Sequence, residues 1–232
     1  SIIGEVDPSY IFIKNSLKRI KLNIPSPKFI IIIRKPLERS FSHYCMNKYK
    51  GYEKLSFLKA IESETTRIRK NNDNMNKFSY LLRSRYSKAI KNLIDIFPGS
   101  KILYIKFDDI INANSQKNTY SRICEFLNLS EIANIDLSIM QNTAATPKNN
   151  GLRNFLYKDN SIKNFLKFFI PEKYRYKIKM KLDYYNRRNI KLNKNDYLVN
   201  LPRKYLEWSN KEVEESMKLT NLDLKNWIYI NE

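Results

Sequence analysis

Residues 28–49 read KFIIIIRKPLERSFSHYCMNKY, and this stretch decides the fold. Phe29, Ile30, Ile31, Ile32 and Ile33 form an uninterrupted β-branched and aromatic run. Such a run suits a strand covered on both faces, as in a parallel sheet with helices on either side. Arg34 follows at the carboxyl end, where open α/β sheets receive their ligands. Pro36 has the fixed φ and missing N–H of a first helical position, and it keeps Lys35 out of helical geometry. A helix is therefore predicted from Pro36, with Leu37, Phe41, Tyr44 and Cys45 on one apolar stripe. Arg34, Lys35, Arg39 and Ser42 fall before or outside that stripe. A helix N-terminus carries free N–H groups and a positive dipole end, so a guanidinium and a hydroxyl beside it complete an anion site. A phosphate is the natural ligand.

Arg34, Pro36, Arg39, Ser42 and Tyr44, in the order R-K-P-x-x-R-x-x-S-x-Y, resemble the 3′-phosphate-binding signature of sulfotransferases that use PAPS (3′-phosphoadenosine 5′-phosphosulfate). The resemblance places the 3′-phosphate on Arg34 and Ser42. Lys35 stands where such proteins usually have Asn, which changes the local charge. The implied fold is a three-layer α/β domain with a central parallel sheet flanked by helices, similar to the P-loop NTPases. A solvated surface helix after a core strand is the alternative reading of the same residues.

A chain of 232 residues is long enough for one α/β domain with a substantial core, and a single domain over 1–232 is expected. Hydrophobic residues at 42% and aromatics at 13% belong to a globular protein. The net charge of +20 favours polyanionic ligands or surfaces, although a Lys-, Asn- and Ile-rich composition also inflates it. Cys45 and Cys124 fall on predicted core faces, so two buried free thiols are expected rather than a disulfide. No apolar run has the length of a membrane span and SIIGEVDPSY lacks a signal-peptide layout, from which a cytoplasmic location is expected.

The first residues, with Ile2 and Ile3 readable as a strand end, lead into GEVDPSY. Gly4, Glu5, Pro8 and Tyr10 resemble the G-E-x-x-P-x-Y motif that lies inside sulfotransferase domains, which puts Glu5 on the substrate side. Val6 replaces a Lys of the heparan-type members. The resemblance implies that the chain begins mid-domain, incomplete at the N-terminus, with the first strand, the 5′-phosphosulfate loop and the catalytic base upstream of Ser1.

Residues 55–70 and 79–97 read as two helices, with a polar loop over Asn71–Lys77. Tyr86, Ile90, Leu93 and Phe97 form the apolar seam of the second, and Pro98-Gly99 ends it. By the resemblance, Ser84 and Tyr86 approach the adenine; a plain core role is the alternative for Tyr86. Lys101–Phe107 is the next strand. Asp108 and Asp109 after it suit capping better than metal binding. A helix then runs from Ser115 to Leu127, and the alternation of strand and helix signals a parallel sheet.

Beyond Ser130 the texture turns basic. Asn142–Arg153 reads as a polar loop, and between Lys148 and Lys191 there are 13 Lys or Arg against 3 Asp or Glu. This region, 142–191, is expected to be a lid over the nucleotide, a patch for acidic glycan, a face for anionic lipid, or a solvated surface. The resemblance makes Lys148 and Arg153 candidates for contacts with the nucleotide. The tail, YLEWSNKEVEESMKLTNLDLKNW, is similar to the closing helix of bacterial sulfotransferase domains, with Trp227 as a packing residue.

No Gly precedes Lys-Ser or Lys-Thr in a Walker A loop, the single His43 excludes HExxH, two distant Cys exclude a zinc ribbon, and no G-x-S-x-G elbow is present. His43 is expected on the helix surface. The function implied by the resemblance is transfer of a sulfuryl group from PAPS, without a metal, to a hydroxyl or amine of a glycan or small molecule, leaving PAP. The other class is a non-catalytic basic module for a polyanion: nucleic acid, acidic glycan or anionic lipid. No sequence-specific nucleic-acid partner is expected.

Overall fold

The structure is a computed structural model that describes residues 2–133, 135–137, 145–158, 160, 161, 163, 165, 169–189 and 201–230. Of the predicted lid, positions 142–144, 159, 162, 164, 166–168, 190 and 191 lie outside these. The chain divides into two compact units, one formed by 1–39, 81–140 and 202–232, the other by 40–80 and 141–201.

The first unit is α/β. Helix α1 (Lys14–Asn23) precedes strand β1 (Phe29–Ile33), and helix α2 (Pro36–Lys50) follows it. α2 starts as predicted, with the Lys35 carbonyl accepting the Arg39 N–H at 2.9 Å. After helices α3 (Phe57–Glu62), α4 (Glu64–Ile68) and α5 (Asn72–Phe78), which belong to the second unit, the chain returns in α6 (Tyr86–Ile96) and β2 (Ile102–Lys106). β1 and β2 pair in parallel, Phe29 opposite Ile102 through to Ile33 opposite Lys106. Short α7 (Phe107–Ile111) and α8 (Ala113–Leu127) complete the alternation, the latter capped by Asn112 and starting at Ala113, two residues before the predicted Ser115.

One face of this sheet carries the core. Ile33, Tyr86 and Ile90 pack with Val213, Leu224 and Trp227, while Leu17, Leu93 and Phe97 form an adjoining cluster. All four residues of the predicted α6 seam are buried. The opposite face is covered unevenly: Ile105 on β2 is fully buried, whereas Ile32 on β1 is 48% exposed. The expectation of a strand covered on both faces is corrected there, because α8 packs along β2 rather than β1. Ile2 and Ile3 form no strand, and Ile3 is solvent-exposed.

In the second unit the sequence is corrected at three places. The helix expected over 55–70 breaks into α3 and α4 at Ser63, whose hydroxyl donates to the carbonyls of Lys59 and Ala60. The loop expected over Asn71–Lys77 is helix α5, capped by the Asn71 side chain on the Asn74 N–H and braced by Lys77 to Asp73 at 2.6 Å. The polar loop expected over Asn142–Arg153 holds strand β3 (Ala145–Pro147) and the start of α9 (Asn150–Tyr157). Helix α10 (Glu172–Asn186) runs into β4 (Arg187–Asn189), which pairs antiparallel with β3. Asn186 fixes this corner: its Nδ2 donates to the Asn149 carbonyl, and its Oδ1 accepts the Asn149 N–H.

Helix α11 (Arg203–Thr220) closes the first unit, ending at left-handed Asn221. The helix is fixed to α6 by Glu212, which accepts the Ser87 hydroxyl at 2.8 Å.

Candidate functional site

Arg34 leaves β1 at the N-terminal end of α2, so its position is set by the buried Ile33 on one side and the buried Pro36 and Leu37 on the other. Its guanidinium stands 5.0 Å over the Phe107 ring, at the matching end of β2, and its Nη2 lies 3.6 Å from Glu38 Oε2. The Nε is buried without a hydrogen-bond partner. Glu38 is therefore a carboxylate against part of the guanidinium fork, with one donor of the fork unspent. A buried unspent donor costs about 1–3 kcal/mol, which an arriving anion oxygen recovers.

Tyr86 stands directly behind this arginine. Its side chain is buried against Phe12 with ring centroids 6.1 Å apart. Burial pushes the Tyr86 hydroxyl up from its ordinary value, and the Arg39 and Arg34 guanidiniums pull against that rise. Arg39 itself lies 6.0 Å from the Phe12 ring centroid. Arg83, one turn before α6, is buried enough that its guanidinium is pushed below its ordinary value, with Asp7 opposing that. Ser84 beside it is fully buried. Arg34 and Arg39 thus both act on Tyr86 behind the strand end, with Glu38 beside Arg34, while Arg83 and Asp7 face each other in the same unit. The arrangement suits a multiply charged anion.

Each residue singled out in the sequence has a definite place. Arg34, Ser84 and Tyr86 belong to the first unit, as does Glu5, which accepts the Tyr10 hydroxyl at 2.7 Å. Ser42 lies on α2 in the second unit, half-buried. Lys148 and Arg153 also lie in the second unit. Lys148 is exposed, with its main-chain N–H on the Asn186 carbonyl at 2.7 Å. Arg153 lies flat against Gly51, where an added Cβ would meet its Nε at 3.1 Å, and that Nε is buried without a partner. Both border an open cleft or its strand: a cavity of about 450 Å³ is lined by Tyr49, Gly51, Lys54, Pro147, Arg153 and Lys158.

His43 is buried rather than on the surface, edge-on to Tyr80 at 5.1 Å, because α2 is enclosed on that side by the end of α5. The two acidic residues after β2 take structural roles. Asp108 accepts the Trp227 indole N–H at 2.7 Å, and Asp109 lies 3.6 Å from Lys106. Among the described residues no group of three His, Cys, Asp or Glu side chains could hold a metal ion. Both cysteines are free; burial pushes the Cys45 thiol up to about 11.

Sequence reasoning missed two buried centres of the second unit. Glu53 accepts Arg67 Nη1 at 2.6 Å, the Tyr80 hydroxyl at 2.7 Å and the main-chain N–H groups of Lys54 and Leu55. Asp183 accepts the Tyr49 hydroxyl at 2.7 Å, with Arg187 Nε 3.8 Å away, and its charge adds to the burial that pushes the Tyr157 hydroxyl up. No local pattern marks either acid, since the side chains that hydrogen-bond them, Arg67 and Tyr80 on Glu53 and Tyr49 on Asp183, are 14 to 134 residues distant. Arg83 carried a signal, the R-S-R-Y run, that pointed to Ser84 and Tyr86 instead.

No curated protein matches the chain closely enough to count. Among solved structures, a crystal structure of a sulfotransferase from Alicyclobacillus acidocaldarius superposes with a TM-score of 0.60 at 18% sequence identity, over 94% of this chain. This chain covers 64% of that one, a little under two thirds of its length. That likeness establishes the α/β fold. A model of the sulfotransferase family matches residues 2–133, more than half of the chain, including β1, α2, α6 and β2. The chain belongs to the sulfotransferase family.

Proposed function

We propose that this chain binds PAPS and takes part in transfer of its sulfuryl group to a hydroxyl or amine of a glycan or small-molecule acceptor, releasing PAP. The observation that carries the reading is Arg34: a guanidinium at the end of a parallel strand and the start of a 15-residue helix, with a buried Nε left for an anion. In this reading Arg34 and Ser42 bind the 3′-phosphate, and Ser84 and Tyr86 border the adenine. Lys148 and Arg153 supply positive charge to the phosphates. Glu5 lies on the acceptor side. The Arg39 guanidinium, which like Arg34 acts on Tyr86, supports the charge preference without itself identifying the nucleotide.

Sulfuryl transfer displaces the bridging oxygen of the phosphosulfate in line with the attacking acceptor oxygen or nitrogen. The S–O bond to phosphate breaks as the new bond forms, negative charge collects on the leaving phosphate, and the acceptor gives up a proton to a base. Cationic donors directed at the leaving phosphate therefore lower the barrier. No metal enters this scheme.

Calorimetric titration with PAP, 5′-AMP and the Arg34→Ala variant tests the reading. Binding of PAP at least about tenfold tighter than 5′-AMP, abolished or weakened about as much by Arg34→Ala, is the expected result; a bidentate charged contact is worth on that order. Equal, weak binding of both nucleotides, indifferent to Arg34 and steeply salt-dependent, would leave a domain that holds polyanions without a nucleotide pocket.

A further inference from the structure

Arg34 and the Phe107 ring under its guanidinium stand on different strand ends, the first residue past β1 and the first past β2. Their 5.0 Å contact therefore depends on how those two ends are held side by side. The ladder stops at Ile33 opposite Lys106. Past it, the next residue on each side is held by the C-terminal tail. Lys35 Nζ lies 3.5 Å from the centroid of the Tyr229 ring, and Asp108 Oδ2 accepts the Trp227 indole N–H at 2.7 Å.

The tail is itself anchored. After α11 ends at left-handed Asn221 the chain doubles back on that helix, where Asn210 clamps it from both sides of one residue. Asn210 Oδ1 accepts the Tyr229 N–H at 2.8 Å, and its Nδ2 donates to the Tyr229 carbonyl at 2.9 Å. Trp227 is buried in the cluster of Ile33 and Tyr86. Two rings, two residues apart, thus reach both strand ends from a backbone fixed to α11, and every member belongs to the first unit. An ammonium 3.5 Å from a ring centroid is well inside the range of cation–π attraction. The Lys35 carbonyl also takes the Arg39 N–H, so the residue after Arg34 is held through its main chain by α2 and through its side chain by the tail.

Arg34 needs such support, because few of its own contacts direct it. Its Nε is buried without a hydrogen-bond partner, and Glu38 stands 3.6 Å from its Nη2, beyond hydrogen-bond length. A long side chain that wanders pays the entropy of being ordered when an anion arrives, and one already held does not. We propose that Tyr229 is a positioning residue for Arg34: the tail straps the two strand ends together through Lys35 and Asp108, which keeps the Arg34 guanidinium over Phe107 and ready for its anion. The inference rests on the reading above only in taking Arg34 as the group that meets the ligand.

Nitrogen-15 relaxation of the ligand-free chain reads the strap directly. The Arg34 Nε–Hε signal, assigned by its disappearance in Arg34→Lys, is expected to be restrained in the parent and in Tyr229→Phe, which keeps the ring. It gains fast motion in Tyr229→Leu. Lys35→Met, which removes the cation instead of the ring, gives the same gain, so the result does not hang on the folding of one variant. Calorimetric titration follows the consequence. PAP binds Tyr229→Leu about three- to tenfold more weakly than the parent, with Tyr229→Phe at the parent level, the order expected when one long side chain must be ordered on binding. In the Arg34→Ala background Tyr229→Leu costs nothing further. An Arg34 signal unmoved in Tyr229→Leu and Lys35→Met overturns the proposal. So does an equal loss of affinity in the Arg34→Ala background, or tighter binding to Tyr229→Leu because a released Lys35 reaches the anion itself. A parent chain that does not distinguish PAP from 5′-AMP would remove the nucleotide reading, and the relaxation result would still decide the strap.

Discussion

Trp227 Nε1 donates to Asp108 Oδ2 at 2.7 Å, joining the last turn of the described chain to the second residue after β2. The indole is buried in the same cluster as Ile33 and Tyr86, so the tail closes over the core that lies behind Arg34. Trp227→Phe keeps most of the apolar area and removes the donor, leaving the Asp108 carboxylate without this partner. A loss of about 1–3 kcal/mol is expected. Thermal unfolding followed by circular dichroism measures it; a melting temperature equal to that of the parent would show that the bond contributes nothing.

Tyr86 offers a second test of the same region. Its buried hydroxyl lies within electrostatic reach of the Arg34 and Arg39 guanidiniums, so Tyr86→Phe removes a polar atom beside them while keeping the ring in place. Stability should change by no more than about 1 kcal/mol. In a chain that binds PAP through Arg34, affinity should fall severalfold, because a hydroxyl beside the site is lost. Retained affinity would separate the core role of Tyr86 from the site.

The parts of this fold legible in the sequence are those set by neighbours in the chain. Phe29–Ile33 declares a strand by composition, Pro36 declares a helix start by its missing N–H, and Tyr86, Ile90, Leu93 and Phe97 declare a buried seam by spacing. Arg34 could be placed at a strand end by counting alone. What could not be read depends on partners far away. Ile32 is open because α8 packs along β2, His43 is buried because Tyr80 comes to meet it, and Glu53 is an anchor only once Arg67 and Tyr80 arrive. Helix α5 was hidden for a different reason: its Asn-rich composition reads as a loop, yet one of those asparagines is the cap that starts the helix.

Two buried carboxylates respond to pH with opposite sign. For Glu53, burial alone would raise the carboxyl, but the Arg67 guanidinium, the Leu55 N–H and the Tyr80 hydroxyl together hold it below the usual carboxylate range. A depressed folded value gives stability that is present above the unfolded value, near 4.5, and is lost as pH falls through the folded one. Glu53→Gln should therefore cost on the order of 2–3 kcal/mol at neutral pH and much less near the acid limit. Chemical unfolding at a series of pH values reads this directly; a cost that does not shrink in acid would remove Glu53 as the titrating group.

Glu212 behaves the other way. Burial pushes its carboxyl up and nearby Glu215 adds to that, while the Ser87 hydroxyl and N–H and the Arg85 guanidinium only partly restore it. A raised folded value means that the folded chain holds this proton more tightly than the unfolded one. Stability is then highest below the unfolded value and falls as pH rises through the folded one. Glu212→Gln keeps an oxygen for the Ser87 hydroxyl and removes the buried charge, so it should stabilise the chain at pH 7 to 8 and not in acid. The expected rise is on the order of 2 °C in Tm for a protein of this size. A drop at neutral pH would mean that the Glu212 charge, facing the N-terminal turn of α6, helps the helix dipole more than its burial costs.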